Sequence, residues 1–237
     1  MKGMINMLAL LPAAVIFVGL MSVWINVSDQ QMATSNSLNE QQIIEMSLKN
    51  RSSDDINDNN NFTSIFDGKT LDGWKMAGDG SFAVTGSDES LQSEGGMGLL
   101  WYSERIFNNF TLRLEWKVSN EGDNSGVFIR FPDPDDNPNI AVREGYEVQL
   151  DDKAGDPIHQ TGAIYDFAAP SKIVSKPPGQ WNIMEIQAQG QSYTVIINGQ
   201  RVTEFTGSRM TDGYIGLQAH DDKSKVSFRN IMIKEIK

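Results

Sequence analysis

From residue 62 onward the chain alternates between apolar and polar positions. Phe110-Thr-Leu-Arg-Leu-Glu-Trp-Lys-Val118 puts Phe110, Leu112, Leu114 and Trp116 on one side of an extended strand, with Thr111, Arg113, Glu115 and Lys117 on the other. Tyr146, Val148 and Leu150 form a second apolar row, backed by the polar row Glu147, Gln149 and Asp151. Residues 193–197 and 200–205 flank Asn198-Gly199, a pair that tolerates the positive φ values of a type I′ turn, so a hairpin is expected there. Gly126-Val-Phe-Ile-Arg130 and Tyr214-Ile-Gly-Leu-Gln-Ala-His220 read as two more strands, and residues 225–236 alternate again and are expected to close the sheet. Gly, Asp, Asn and Pro interrupt these runs at short intervals, and no long stretch has helical periodicity. The pattern predicts an all-β fold, a two-sheet antiparallel sandwich of jelly-roll type.

The first quarter of the chain has a different texture. Residues 7–27 form a nearly charge-free apolar run behind Lys2, close to the ~20 residues a helix needs to span a bilayer core. Val27-Ser28-Asp29-Gln30 offers no convincing cleavage site. The expectation is therefore an N-terminal hydrophobic helix kept as a membrane anchor, with a cleaved signal segment as the alternative. Either way the rest of the chain is exported, as a membrane-anchored extracytoplasmic domain or a secreted one. Residues 28–61 are rich in Ser, Asn, Asp and Gln and read as a flexible polar tether, which leaves 62–237 as the sandwich domain.

Composition narrows the chemistry. The chain has 237 residues, no cysteine, and 31 acidic against 20 basic residues, for a formal net charge of -11. That balance argues against nucleic acid or anionic lipid as partners, and the lack of cysteine removes disulfides, thiolate metal sites and a thiol nucleophile. Asp133, Asp135, Asn137 and Glu144 fall at EF-hand-like spacing, but Pro138 stands where that loop needs Gly. No metal site and no cofactor is expected.

The polar row of Glu147 is either ordinary solvated surface, which has the better base rate, or a site. Its company favours a site. Arg130, Glu147, Gln149, Gln218 and His220 are expected to converge on one sheet face, and the long connections 132–144, 152–161 and 166–180 cluster around that strand. Asp151 and Tyr165 are added as ligand-binding residues, and His159 has at most a rim role. Glu147 and Asp151 lie four residues apart in one strand, so ~13 Å separates their backbones. That exceeds the ~5–9.5 Å of ordinary glycosidase carboxyl pairs.

Several ordered motifs together resemble the 3-keto-disaccharide hydrolase family. They are Phe66-Asp-Gly-Lys-Thr-Leu-Asp-Gly-Trp74, Asn124-Ser-Gly-Val-Phe-Ile-Arg130, Gly145-Tyr-Glu-Val-Gln-Leu150, Thr161-Gly-Ala-Ile-Tyr165, Lys176-Pro-Pro-Gly-Gln-Trp-Asn182, Gly216-Leu-Gln-Ala-His220 and Phe228-Arg-Asn-Ile231. The resemblance implies a concanavalin A-like lectin/glucanase sandwich and cleavage of glycosides whose sugar carries a ketone at carbon 3. Such a ketone acidifies the hydrogen at carbon 2, so one base can start elimination of the group at carbon 1. Glu147 or His220 would be that base, with Arg130 or Gln149 holding the enolate. The competing readings are a non-catalytic carbohydrate-binding module at the cell envelope and a purely structural envelope domain.

Overall fold

The structure, a computed structural model, describes residues 61–236. The expected N-terminal helix and tether lie outside the described residues. The chain opens with β1 (Thr63–Ser64), β2 (Trp74–Gly78), β3 (Ser81–Thr85), β4 (Ser90–Glu94) and β5 (Gly98–Tyr102). There follow β6 (Phe110–Val118), β7 (Ser125–Phe131), a short helix α1 (Asn139–Glu144) and β8 (Tyr146–Leu150). The last strands are β9 (Asn182–Gln189), β10 (Ser192–Ile197), β11 (Gln200–Thr206), β12 (Tyr214–Ala219) and β13 (Val226–Glu235). They form two antiparallel sheets. The larger runs β11-β10-β9-β6-β13-β4-β3 with β1 beside β13, and the smaller runs β2-β5-β12-β7-β8.

Several strands alternate as their sequence requires. Phe110, Leu112, Leu114 and Trp116 of β6 enter the core between the sheets, and so do Tyr146, Val148 and Leu150 of β8 and Ile215 and Leu217 of β12. The Asn198-Gly199 turn has φ of 50° and 75°, as a type I′ hairpin demands. The tail strand does not close the sheet. β13 runs down its middle, paired with β6 on one side and β4 on the other. Its inward row supplies Val226, Phe228, Ile231 and Ile233 to the core, an apolar load suited to an interior strand.

The smaller sheet also buries part of its outer face. Leu100 belongs to the main core, whereas its neighbours Leu99 and Trp101 join Ala77, Phe128, Phe131 and Ala141 in a second cluster. Ala141 belongs to α1, so this cluster seats the helix on the outer face. The connection 132–144, expected as a structureless loop, thus carries a helix. Its proline and asparagines disguised six helical residues, too few for periodicity to register.

Candidate active site

β8 is the edge strand of the smaller sheet, with β7 between it and β12. That edge is covered. The Tyr165 N–H donates to the Glu147 carbonyl, Gln149 N–H to Ala163, and Gly162 N–H to Gln149, so residues 161–165 run along β8 like one more irregular strand. On the far end of this segment Thr161 N–H donates to the Asp151 carbonyl.

Glu147 and Gln149 point away from the core, toward the face shared with Gln218. The floor between them is bare because Gly126 pairs with Gln149, and the β12–β7 register carried one residue further sets Gly126 beside Gln218. A methyl group on Gly126 would lie 2.0 Å from Glu147 Oε1. The carboxyl therefore fills the space that any side chain at position 126 would need. The resulting cavity measures about 360 Å³, near the small end of ligand sites. Glu147, Gln149 and Gln218 line it together with Asn124, Asp151, Tyr165, His159 and His220. Met97 and the α1 residues Asn139 and Val142 complete its wall.

Glu147 is 6% exposed. Burial, and then the Asp166 charge, push its carboxyl up to about 8, because a low-dielectric site penalises the ionised form. At neutral pH this group holds its proton. The buried acceptors Glu147 Oε1, Gln218 Oε1 and Asn124 Oδ1 have no hydrogen-bond partner within the chain. A cavity with unsatisfied acceptors favours a ligand rich in hydroxyl donors.

Two imidazoles complete the set. His220 Nδ1 lies 2.7 Å from Asp221 Oδ2. Burial raises the Asp221 carboxyl, but hydrogen bonds from His220, from the N–H groups of Lys223 and Ser224 and from the Ser224 hydroxyl outweigh it and hold the group below the usual carboxylate range. An ionised Asp221 can only accept, so Nδ1 carries a proton and Nε2 is the basic nitrogen. His159 Nε2 makes a similar 2.7 Å contact to Asp166 Oδ1, and its ring stacks on Tyr165 with centroids 4.5 Å apart. Burial first, then Asp166 and Glu147, raise the Tyr165 phenol, which keeps it a neutral donor.

Of the expected site residues, Glu147, Gln149, Asp151, Tyr165, Gln218 and His220 all line this cavity. Arg130 does not. The β12–β7 register shifts between Tyr214 and Ile215, so Arg130 is an extra residue between Ile129 and Phe131, with φ of 55°. A bulge of this kind breaks the two-residue period. Phe131 takes the outer face, and the Arg130 guanidinium turns inward over Phe110 and Tyr193 and donates to the Asn108 carbonyl. It is fully buried and cannot hold an enolate in this cavity.

His159, expected at most at the rim, lines the cavity and contacts Asp166 and Tyr165. The aspartate partners were missed, although His220-Asp221 is a dipeptide whose second residue is well placed to orient the first. Asn124, Met97, Asn139 and Val142 were missed as well; only Asn124, next to the Ser-Gly-Val-Phe run, had a local signal. Among the described residues no group of three or more His, Asp or Glu side chains is arranged to hold a metal ion.

The sandwich, with its acid and histidines on one covered face, also belongs to a recognisable sequence family. Residues 61–234 match the 3-keto-alpha-glucoside-1,2-lyase-like domain, and the chain belongs to that family. It is 28% identical over 75% of its length to a 3-keto-disaccharide hydrolase of Bacteroides thetaiotaomicron, of which the match covers 79%. A Parabacteroides distasonis protein, designated by inference a glycosyl hydrolase, superposes with a TM-score of 0.61 at 27% identity, covering 74% of this chain and 99% of that one. A carbohydrate-binding module of Bacillus subtilis shares the fold, with a TM-score of 0.53 at 16% identity over 69% of this chain and 96% of its own.

The raised Glu147 carboxyl has a consequence for stability. Its ordinary value is 4.5 and its folded value about 8, so between those limits the native state holds a proton that the unfolded chain releases. The stabilising contribution is complete below pH 4.5 and is lost progressively as the pH rises to about 8, a total on the order of several kcal/mol. Denaturant titrations from pH 5 to 9 should show wild-type stability falling relative to Glu147→Gln, which mimics the protonated acid. Gly126→Ala, by displacing the carboxyl, should shrink that difference. Parallel pH profiles for wild type and Glu147→Gln would contradict the assignment.

Proposed function

We propose that this protein is a carbohydrate-active enzyme that cleaves the glycosidic bond of 3-keto-glycosides by elimination. The observation that carries the reading is the pairing, in one cavity, of a buried carboxyl that keeps its proton with a histidine whose basic nitrogen is fixed by an aspartate. His220 Nε2 removes the hydrogen at carbon 2 as a proton, and the electron pair is delocalised onto the carbon 3 ketone as an enolate. The side-chain amides of Gln149 and Gln218 are the donors available to that oxygen. Collapse of the enolate forms the carbon 1–carbon 2 double bond and breaks the bond from carbon 1 to the departing oxygen. Glu147 gives that oxygen its proton. Later addition of water across the double bond yields the free 3-keto sugar, so the net result equals hydrolysis.

This division of labour reverses one expectation from sequence, in which Glu147 was a candidate base. A carboxyl titrating near 8 is an acid at neutral pH, and His220 takes the base role. The family membership, the hydrolase relative and the hydroxyl-seeking acceptors of the cavity support a sugar substrate. The apolar run at residues 7–27 supports work outside the cytoplasm; the full chain should then sediment with membranes after carbonate washing, and a mature N-terminus just beyond that run would replace the anchor with a cleaved signal.

Turnover of a 3-keto-glycoside deuterated at carbon 2 tests the chemistry. Elimination predicts a primary isotope effect and loss of the label, whereas direct displacement at carbon 1 retains it. Glu147→Gln and His220→Ala should each lower turnover by about 10²–10⁴, while Glu147→Gln still binds substrate. Wild-type turnover in Glu147→Gln would remove that residue from the reaction. A wild-type protein that binds these sugars without turning them over would be a binding module.

A further inference from the structure

The reactive cavity carries a charge, and strand register fixes where it sits. Gly126 pairs with Gln149 and Ser125 with Leu150, so the next outward residue of the neighbouring chain, Asn124, stands beside Asp151. The Asn124 Nδ2 lies 3.4 Å from Asp151 Oδ2. The β12–β7 register, carried on from the Leu217–Val127 pair, sets Asn124 beside His220. Asp151, Asn124 and His220 thus form one row across the sheet, two residues along from the row of Gln149, Gly126 and Gln218.

Among the described residues that line this cavity there is no Lys or Arg. The Asp151 carboxylate accepts from the Lys153 N–H at 2.8 Å and from the Asn124 amide, and meets no cation. The Lys153 ammonium is engaged elsewhere, with Glu121 at 2.9 Å. Arg143 and Lys223, the basic residues nearest the lining in sequence, are exposed. The other aspartates at the cavity come with an imidazole each. His220 contacts Asp221 and His159 contacts Asp166, both at 2.7 Å, so a protonated ring is matched by its own carboxylate. Glu147 adds no positive charge in either form. The sum is negative whichever state the imidazoles take, and Asp151 is the carboxylate left uncompensated.

We propose that the cavity selects glycosides by charge, an ammonium-bearing sugar over a neutral one and a neutral one over a uronate, and that Asp151 is the residue that decides. The inference rests on the reading of this cavity as the glycoside site. The amides and the Tyr165 phenol bond any hydroxyl and cannot tell the sign of a charge. A carboxylate in a cleft can, because the low-dielectric walls focus its field. The cavity measures only about 360 Å³. Every part of a bound ring therefore lies within roughly one Debye length of Asp151, about 8 Å at physiological salt. A unit charge at that range changes affinity by about tenfold.

Three methyl β-D-glucosides that differ only at carbon 6, as the amine, the alcohol or the carboxylate, test the order without any turnover. Each is titrated into the full chain at pH 7 in about 20 mM salt, and binding is followed by the His220 ring resonances. Affinity should fall about tenfold at each step from amine to alcohol to carboxylate. Asp151→Asn keeps the acceptor for the Lys153 N–H and removes the charge, so the spread should collapse. In the wild type, about 1 M salt, where the Debye length is about 3 Å, should compress it as well. Equal affinities at low salt overturn the proposal, as does a spread that survives in a folded Asp151→Asn. Resonances that move with none of the three overturn it together with the sugar reading. The expected order in a protein that turns over no 3-keto-glycoside keeps the charge selection and removes only the elimination.

Discussion

The Glu147 carboxyl lies against the bare Cα of Gly126, and no side chain at that position could coexist with it. Much of the site follows from this contact. A carboxyl pressed against a sheet and covered by residues 161–165 has lost most of its water, and the neutral form is the one such a place tolerates. An ordinary edge strand would expose its outer row. Here the main-chain bonds from Gly162 and Tyr165 to β8 wrap that edge, and the small apolar cluster under α1 fixes the wall opposite. Cover, floor and wall together turn a surface glutamate into a buried acid.

The proposed elimination needs no second nearby carboxylate. Two groups with opposite tendencies are enough: an acid kept protonated by burial and an imidazole fixed in one tautomer by an ionised aspartate. An acid held neutral by burial beside an imidazole whose free nitrogen faces the cavity lets one site supply both acid and base at a single pH. The wide spacing of Glu147 and Asp151, awkward for double displacement at carbon 1, is no obstacle to an elimination.

Much of this was legible along the chain, and the failures are local. Strand alternation found β6, the β10–β11 hairpin and the two faces of β8, because each has one apolar row against a core. It failed at Arg130, where an inserted residue at φ of 55° inverts every inference drawn from parity. It placed β13 at the edge because alternation reports which face is buried and says nothing about which neighbours a strand pairs with. Gly126 was visible only as a strand glycine; its role as the seat of Glu147 depends on a cross-strand diagonal that periodicity does not contain. The Asp166 partner of His159 likewise required a folded loop, whereas Asp221 sits next to His220 in sequence and was available to be read.

The most direct test is the titration of Glu147 itself, by ¹³C NMR of its labelled side-chain carboxyl in the folded protein, assigned by its disappearance in Glu147→Gln. The structure predicts a midpoint near 8, with the group protonated throughout the neutral range. A midpoint close to the ordinary 4.5 would mean that Glu147 is ionised at neutral pH, and the acid role assigned to it would fall.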